Sequence, residues 1–279
     1  MEHEQIKIGI SGSTGFVGTN LREFLATQNI PVISISRKRQ KNFINEKNIT
    51  VHDIDDIKKI RCNVLVHLIG TGIQTKDFDY ELVNVKQTEK IIKLCKRSKI
   101  KKIIYISGLG VSNHTTFGYF LSKLKAEKLI IESGLDYTIL RASYIVGKSD
   151  PLTQNLSRQI KHGVIIIPGT GLYKLQPITI KDVCKVILNS SVNKKLSNQI
   201  IDLVGPKKIN FQNYIKKFIK GKPVKIKKIP LELAYFIALN NPKKIPYGLD
   251  DLNVMIGDFT SSHKKLEKLT GIKLDIPDL

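Results

Sequence analysis

The sequence predicts an α/β fold: a doubly wound parallel sheet with helices on both faces and a smaller C-terminal lobe. Three observations carry that prediction. Strand-length apolar runs alternate with amphipathic helical stretches through the first half of the chain. The first run, Ile6 to Ile10, ends in glycines spaced three apart, Gly12, Gly15 and Gly18, and a helical pattern begins at once. After Pro151 the alternation breaks down, which divides the chain into residues 1–150 and a smaller lobe, residues 151–279. Segments at about 175–206 are expected to return to the main sheet.

Strand, glycine turn and helix together form a phosphate-binding device. Glycine lets the backbone approach a pyrophosphate closely, and the helix start offers unpaired N–H groups and a partial positive charge. The first helix places Phe16, Val17, Leu21, Phe24 and Leu25 on one side. The expected dinucleotide contacts here are Gly12, Ser13, Thr14, Gly15, Phe16, Val17 and Gly18.

The second strand, Ile30 to Ser36, decides which dinucleotide. Folds of this type often end that strand with an acid that holds the ribose 2′-hydroxyl. Here Ser36 is followed by Arg37, Lys38, Arg39, Gln40 and Lys41, four cations in five residues and no acid. Arg37 has the planar fork that grips a 2′-phosphate, so NADP(H) is expected over NAD(H). A short strand ending at Asp53 places Asp53 and Ile54 at the adenine. The strand Asn63–Gly70 delivers Leu68, Ile69, Gly70 and Thr71 to the crevice at the carboxyl ends of the strands.

A helix from about Asp77 to Lys96 carries Asn84 in its interior, a poor helix residue with room for a specific task. The next strand, Lys101 to Ser107, is broken by Gly108 and Gly110, and a helix runs from Gly118 to about Glu132. Asp136 to Ala142 is another strand, which brings Ala142, Ser143 and Ile145 to the same crevice. Beyond it, Asn210 caps a helix through Phe218, Asp182 is expected to cap the helix that follows it, and residues 230–279 are mostly helical.

Composition narrows the function classes. The chain has 279 residues, 41% of them hydrophobic, and three scattered cysteines that suit a reducing cytosol; the expected location is cytoplasmic. No signal peptide or membrane span is visible, and no metal site is expected, since the six histidines do not cluster. The net charge of +22 is mostly lysine, spread along the chain without a dense tail or interleaved aromatics, which argues against nucleic acid as a partner.

Tyr119 and Lys123 lie four apart on one helix and share a face. The ammonium is expected to lower the tyrosine pKa from its reference of about 10 toward the range useful for proton transfer. Ser107, at a strand's carboxyl end, is placed to hold a substrate carbonyl. A second Tyr-x-x-x-Lys pair, Tyr144 and Lys148, lacks the shared helical face. The expected catalytic set is Ser107, Tyr119, Lys123 and Asn84, with Tyr119 and Lys123 also touching the cofactor.

With these residues assembled, the sequence resembles the short-chain dehydrogenase/reductase superfamily in its extended or atypical branch. Ser11-Gly-x-x-Gly-x-x-Gly18 looks like that branch's cofactor motif, and Asn84, Ser107, Tyr119 and Lys123 fall where its catalytic tetrad falls. Glu132 to Ser143, Pro168 to Gly171, Gln176-Pro177 and Asp182-Val183 are similar to complex I 39-kDa-subunit-like and NmrA-like members. Ala142 stands where the family usually has proline.

The resemblance implies a Rossmann core with bound NADP, or NAD. It leaves the chemistry open between an oxidoreductase acting on a small carbonyl or alcohol, a sugar-nucleotide epimerase or dehydratase, and a non-catalytic NADP(H)-binding regulator or respiratory complex assembly factor with a protein partner. The expected state is a monomer or homodimer.

Overall fold

The computed structural model describes residues 6–72, 79–240 and 244–278. In chain order the first half contributes β1 (Ile8–Ser11), α1 (Phe16–Thr27), β2 (Val32–Ser36), β3 (Glu46–Thr50) and β4 (Val64–His67). Next come α2 (Gln87–Ser98), β5 (Lys102–Gly108), α3 (Gly118–Glu132), β6 (Asp136–Ala142) and β7 (Ile145–Val146). The second half holds α4 (Pro151–Lys161), β8 (Val164–Pro168), β9 (Lys174–Leu175), β10 (Ile178–Thr179), α5 (Ile180–Val192) and β11 (Gln199–Leu203). It closes with β12 (Ile209–Asn210), α6 (Phe211–Ile219), β13 (Lys225–Ile229), α7 (Leu231–Asn240), α8 (Leu249–Ile256) and α9 (Lys264–Thr270).

Seven strands form one sheet in the order β11-β6-β5-β4-β1-β2-β3, and every neighbouring pair is parallel. Both faces of such a sheet are covered, so its strands are apolar on both sides. Period two sorts them: Ile8, Ile10, Val64, Val66, Ile104 and Leu140 pack on one face with α1, α5 and α9. Ile33, Ile35, Leu65, Ile103, Tyr105 and Ile139 pack on the other with α2 and α3. A third core cluster joins α4, β8, α6, β13, α7 and α8 around Phe211, Tyr214 and Leu252.

The chain runs β1 to β3 toward one edge and β4 to β6 toward the other. The glycine turn after β1 therefore sits at the point where strand order reverses, the place where such sheets bind ligands. β11 comes from the second half of the chain and supplies the outer edge beside β6, with Gln199 opposite Thr138.

Several local expectations change. The short strand expected to end at Asp53 is instead Glu46–Thr50, and Asp53 caps a single helical turn at Ile54–Asp56. The helix expected from Asp77 begins with a widened turn at Glu81–Lys86, and its expected start lies outside the described residues. Asp182 does not cap α5. Thr179 does, its Oγ1 accepting the Asp182 N–H at 3.0 Å, while the Asp182 carboxylate takes the Asp275 N–H at 2.7 Å and the Lys185 ammonium at 2.9 Å.

Candidate functional site

The glycine turn has three positions with three different demands. Gly12 sits at φ +73°, and a Cβ there would lie 2.7 Å from the Leu68 carbonyl carbon. A Cβ on Gly18 would fall 2.4 Å from the Gly12 oxygen, so α1 can approach β1 only without one. Gly15 is less constrained: a Cβ there would lie 3.3 Å from the Gly12 oxygen, a tight contact at the N-cap of α1 that a small shift relieves. No side chain caps that helix and no acid lies in its first turn, which leaves its N–H groups for an anion.

A cavity of about 500 Å³ opens in front of this turn. Gly12, Gly15, Phe16, Val17 and Gly18 line one end, and Leu68, Gly70 and Thr71 contribute from the β4 loop. Ser107, Tyr119 and Lys123 lie further along, with Ala142, Ser143 and Ile145 beyond β6. Most of the residues expected from sequence thus share one space.

The others stand apart from it. Ser13 is buried, and its hydroxyl donates to the Ile35 carbonyl at 2.9 Å. Ile54 packs into the core and Ile69 packs against it. Ser36 donates to the Lys38 carbonyl at 2.6 Å, while Thr14, Arg37 and Lys38 are exposed. The Asp53 carboxylate is held below its usual range, first by the Asp55 N–H and then by the Lys90 ammonium, so it is largely committed to its own turn.

Asn84 does not line the cavity; it supports it from behind. Its Oδ1 accepts the Thr71 N–H at 2.9 Å, and its Nδ2 donates to the Thr71 carbonyl at 3.1 Å and the Ser122 hydroxyl at 2.9 Å. Fully buried in the widened turn of Glu81–Lys86, one side chain ties the β4 loop to α3. The asparagine tolerated poorly by a regular helix is here the fixing point.

α3 presents the reactive pair. Lys123 is buried, its Nζ 3.2 Å from the Ile106 carbonyl and 4.8 Å from the centre of the Tyr105 ring. Burial pulls its pKa down to about 8, opposed by the Glu127 carboxylate. Tyr119 packs edge-on against Tyr80 at 5.9 Å. Contrary to the expected depression, burial and then the Asp250 carboxylate push the phenol up to about 12. Desolvation penalises the phenolate directly, and a nearby carboxylate adds to that penalty.

Ser107 is 2% exposed, and its hydroxyl has no hydrogen-bond partner among the described residues. A buried hydroxyl left unpaired costs roughly 1–3 kcal/mol, so such a group points to a ligand that completes it.

Sequence reasoning missed the far wall. Tyr144, Tyr247, Asp250 and Asp251 line the cavity opposite α3. Asp251 accepts the Gly248 N–H at 2.9 Å, and burial raises its pKa. Tyr80 donates to the Gly72 carbonyl at 2.9 Å. In the sequence Asp250 and Asp251 look only like acids in a helix's first turn, and no spacing rule links them to Tyr119.

Comparison with known proteins agrees with this architecture. The family model for NAD(P)H-binding proteins matches residues 12–190. The mitochondrial NADH dehydrogenase [ubiquinone] 1 alpha subcomplex subunit 9 of Dictyostelium discoideum is 24% identical over 76% of this chain and 63% of its own length. The chain spans between 42% and 63% of the length of the first curated relatives it matches. Among solved structures, a nucleoside-diphosphate-sugar epimerase from Staphylococcus aureus has a TM-score of 0.75 at 17% identity, covering 97% of this chain and 98% of its own. UDP-glucuronic acid 4-epimerase from Bacillus cereus, solved with UDP-glucuronic acid and NAD, has a TM-score of 0.68 at 20% identity, covering 81% and 86%. The chain belongs to the NAD(P)H-binding family.

Proposed function

We propose that this protein is an NADP(H)-dependent oxidoreductase that transfers hydride to or from a small carbonyl or alcohol substrate. The observation that carries the reading is the Ser107 hydroxyl, buried and unpaired in the same cavity as Tyr119, Lys123 and the glycine turn. In this reading residues 1–150 form the cofactor half and residues 151–279 the substrate half.

The dinucleotide fits the residues present: the N-terminus of α1, with no side-chain cap and no acid in its first turn, and the glycines that line the cavity beside it would receive a pyrophosphate. When bound, the cofactor supplies or accepts the hydride. The Gly12–Gly18 turn would hold its phosphates. Lys123 would hydrogen-bond its ribose, and the exposed Arg37 and Lys38 would receive a 2′-phosphate. Ser107 orients the substrate oxygen. Tyr119, protonated at neutral pH with a pKa near 12, donates its phenolic proton to that oxygen during reduction. Asn84 fixes the loop that carries Gly70 and Thr71 and so sets the floor of the site.

Tyr119→Phe tests the assignment. Turnover of carbonyl substrates is expected to fall by about 10²–10⁴-fold while NADPH binding is retained. Undiminished turnover removes Tyr119 from the mechanism.

A second reading, a non-catalytic NADP(H)-binding regulator or respiratory assembly factor, draws on curated relatives named as subunits of NADH dehydrogenase. Cofactor binding with no turnover across carbonyl and sugar-nucleotide panels, together with a recovered protein partner, favours it.

A further inference from the structure

The excess of positive charge has a focus. From Leu203 to Leu231 the sequence holds nine lysines and no aspartate, glutamate or arginine. All nine are exposed, and among the described residues their one ion pair is Lys220 with the exposed Asp278, at 4.0 Å. The stretch ends in β13, where Lys225, Lys227 and Lys228 point to solvent.

α7 follows directly. Ala234 and Ala238 anchor its inner side, whereas Leu233, Phe236 and Leu239 are 44%, 65% and 68% exposed. At about 100° per residue, three residues spaced by three fall within about 120° of arc, so they form a continuous ridge. The ridge and the lysines adjoin. Lys228 Nζ donates to the Thr170 carbonyl at 2.9 Å, and a Cβ on the preceding Gly169 would lie 3.6 Å from Leu231 Cβ. Leu172 in the same loop is 60% exposed. A large exposed apolar ridge marks an interaction surface.

We propose that α7 and β13 dock this protein onto an anionic phospholipid surface. The Leu233, Phe236 and Leu239 side chains enter the headgroup–acyl boundary, and the β13 lysines meet headgroup phosphates. No helix among the described residues is long and apolar enough to cross a membrane, so the attachment is peripheral. Charge complementarity selects this occupant. A second copy seated on the same face would bring like-charged β13 strands together. RNA is favoured by exposed aromatic planes and arginine forks. Within the lysine stretch Phe211 and Tyr214 are buried, the half-buried Phe218 is covered by the Lys222 ammonium at 5.5 Å, and there is no arginine, while the exposed Phe236 lies between Leu233 and Leu239 in an apolar ridge.

Vesicle flotation tests the proposal, using phosphatidylcholine alone or mixed with phosphatidylglycerol. The intact chain is expected to float with the anionic vesicles and to be released by high salt. The double variant Phe236→Ser with Leu239→Ser, and separately Lys225→Glu with Lys227→Glu, should each weaken binding about tenfold or more. Both should keep the wild-type melting temperature and NADPH affinity, which separates lost docking from lost folding. No flotation with anionic vesicles overturns the proposal, as does flotation untouched by the serine pair. Retention of a structured RNA without vesicle binding, or a dimer that the serine pair dissociates, overturns it in favour of those occupants.

Discussion

Asn84 and Thr71 pair through both backbone groups of the threonine, the amide oxygen accepting its N–H at 2.9 Å and the amide nitrogen donating to its carbonyl at 3.1 Å. Thirteen residues apart in the sequence, they clamp the loop that forms the cavity floor. Replacing Asn84 with alanine deletes both bonds and the one to Ser122, which keeps its bond to the Tyr119 carbonyl at 2.7 Å. Urea denaturation should show a loss of about 2–4 kcal/mol. NADPH affinity should fall as well, because Gly70 and Thr71 lose their fixed position.

Gly15 and Gly18 separate binding from folding. A Cβ on Gly18 overlaps backbone at 2.4 Å, with no flexible side chain to move aside. Gly18→Ala should therefore lower the melting temperature sharply. A Cβ on Gly15 would sit 3.3 Å from the Gly12 oxygen, a tight contact but far milder than at Gly18, at a residue that lines the cavity. Gly15→Ala should melt well above Gly18→Ala yet bind NADPH about tenfold or more weakly than wild type. Differential scanning fluorimetry with and without NADPH reads both effects.

Acid sensitivity has a named source in His67. The ring is fully buried, stacked on Tyr105 and bonded to Ser11 at 2.8 Å and Thr88 at 3.0 Å. Burial, then the Lys123 ammonium, pulls its pKa from 6.5 down to about 3. Between those values the unfolded chain takes up a proton that the folded state refuses. The stabilisation is whole above about pH 6.5 and falls as pH drops toward 3, by on the order of 3 kcal/mol at pH 4. His67→Gln should be less stable than wild type at pH 7 but should lose less on acidification. A wild-type–variant difference constant from pH 7 to 4 would remove His67 as the source.

The parts of this molecule legible in its sequence are those where a backbone constraint leaves few residue choices. The strand–glycine–helix unit is one: Gly12 needs its positive φ and Gly18 its close approach, so glycine spacing alone locates the ligand end of the sheet. The helix Gly118–Glu132 is another, since its apolar period and bounding glycines fix both ends, and with them the shared face of Tyr119 and Lys123. Asn210 capping α6 follows the same local logic.

What stayed hidden depends on distance through space. Asp250 acts on Tyr119 because the fold brings both to one cavity, and its carboxylate adds to the burial that raises the phenol's pKa. Asn84 is out of place in a regular helix, and the widened turn that accommodates it has no signature in the local sequence. Tyr144 was set aside for lacking a helical partner, yet it lines the cavity from the loop after β6. The lysines seemed evenly spread because composition averages over a stretch free of acids.

Cofactor choice tests the central claim most directly. Isothermal titration of the purified protein with NADPH and with NADH measures it, with Arg37→Asp as the matched variant. Arg37 and Lys38 stand exposed beyond β2 where an acid would otherwise hold the ribose. The account predicts that NADPH binds about tenfold or more tightly than NADH, and that Arg37→Asp erases or reverses the preference. Tighter binding of NADH by the wild-type protein, or no binding of either nucleotide, would contradict it.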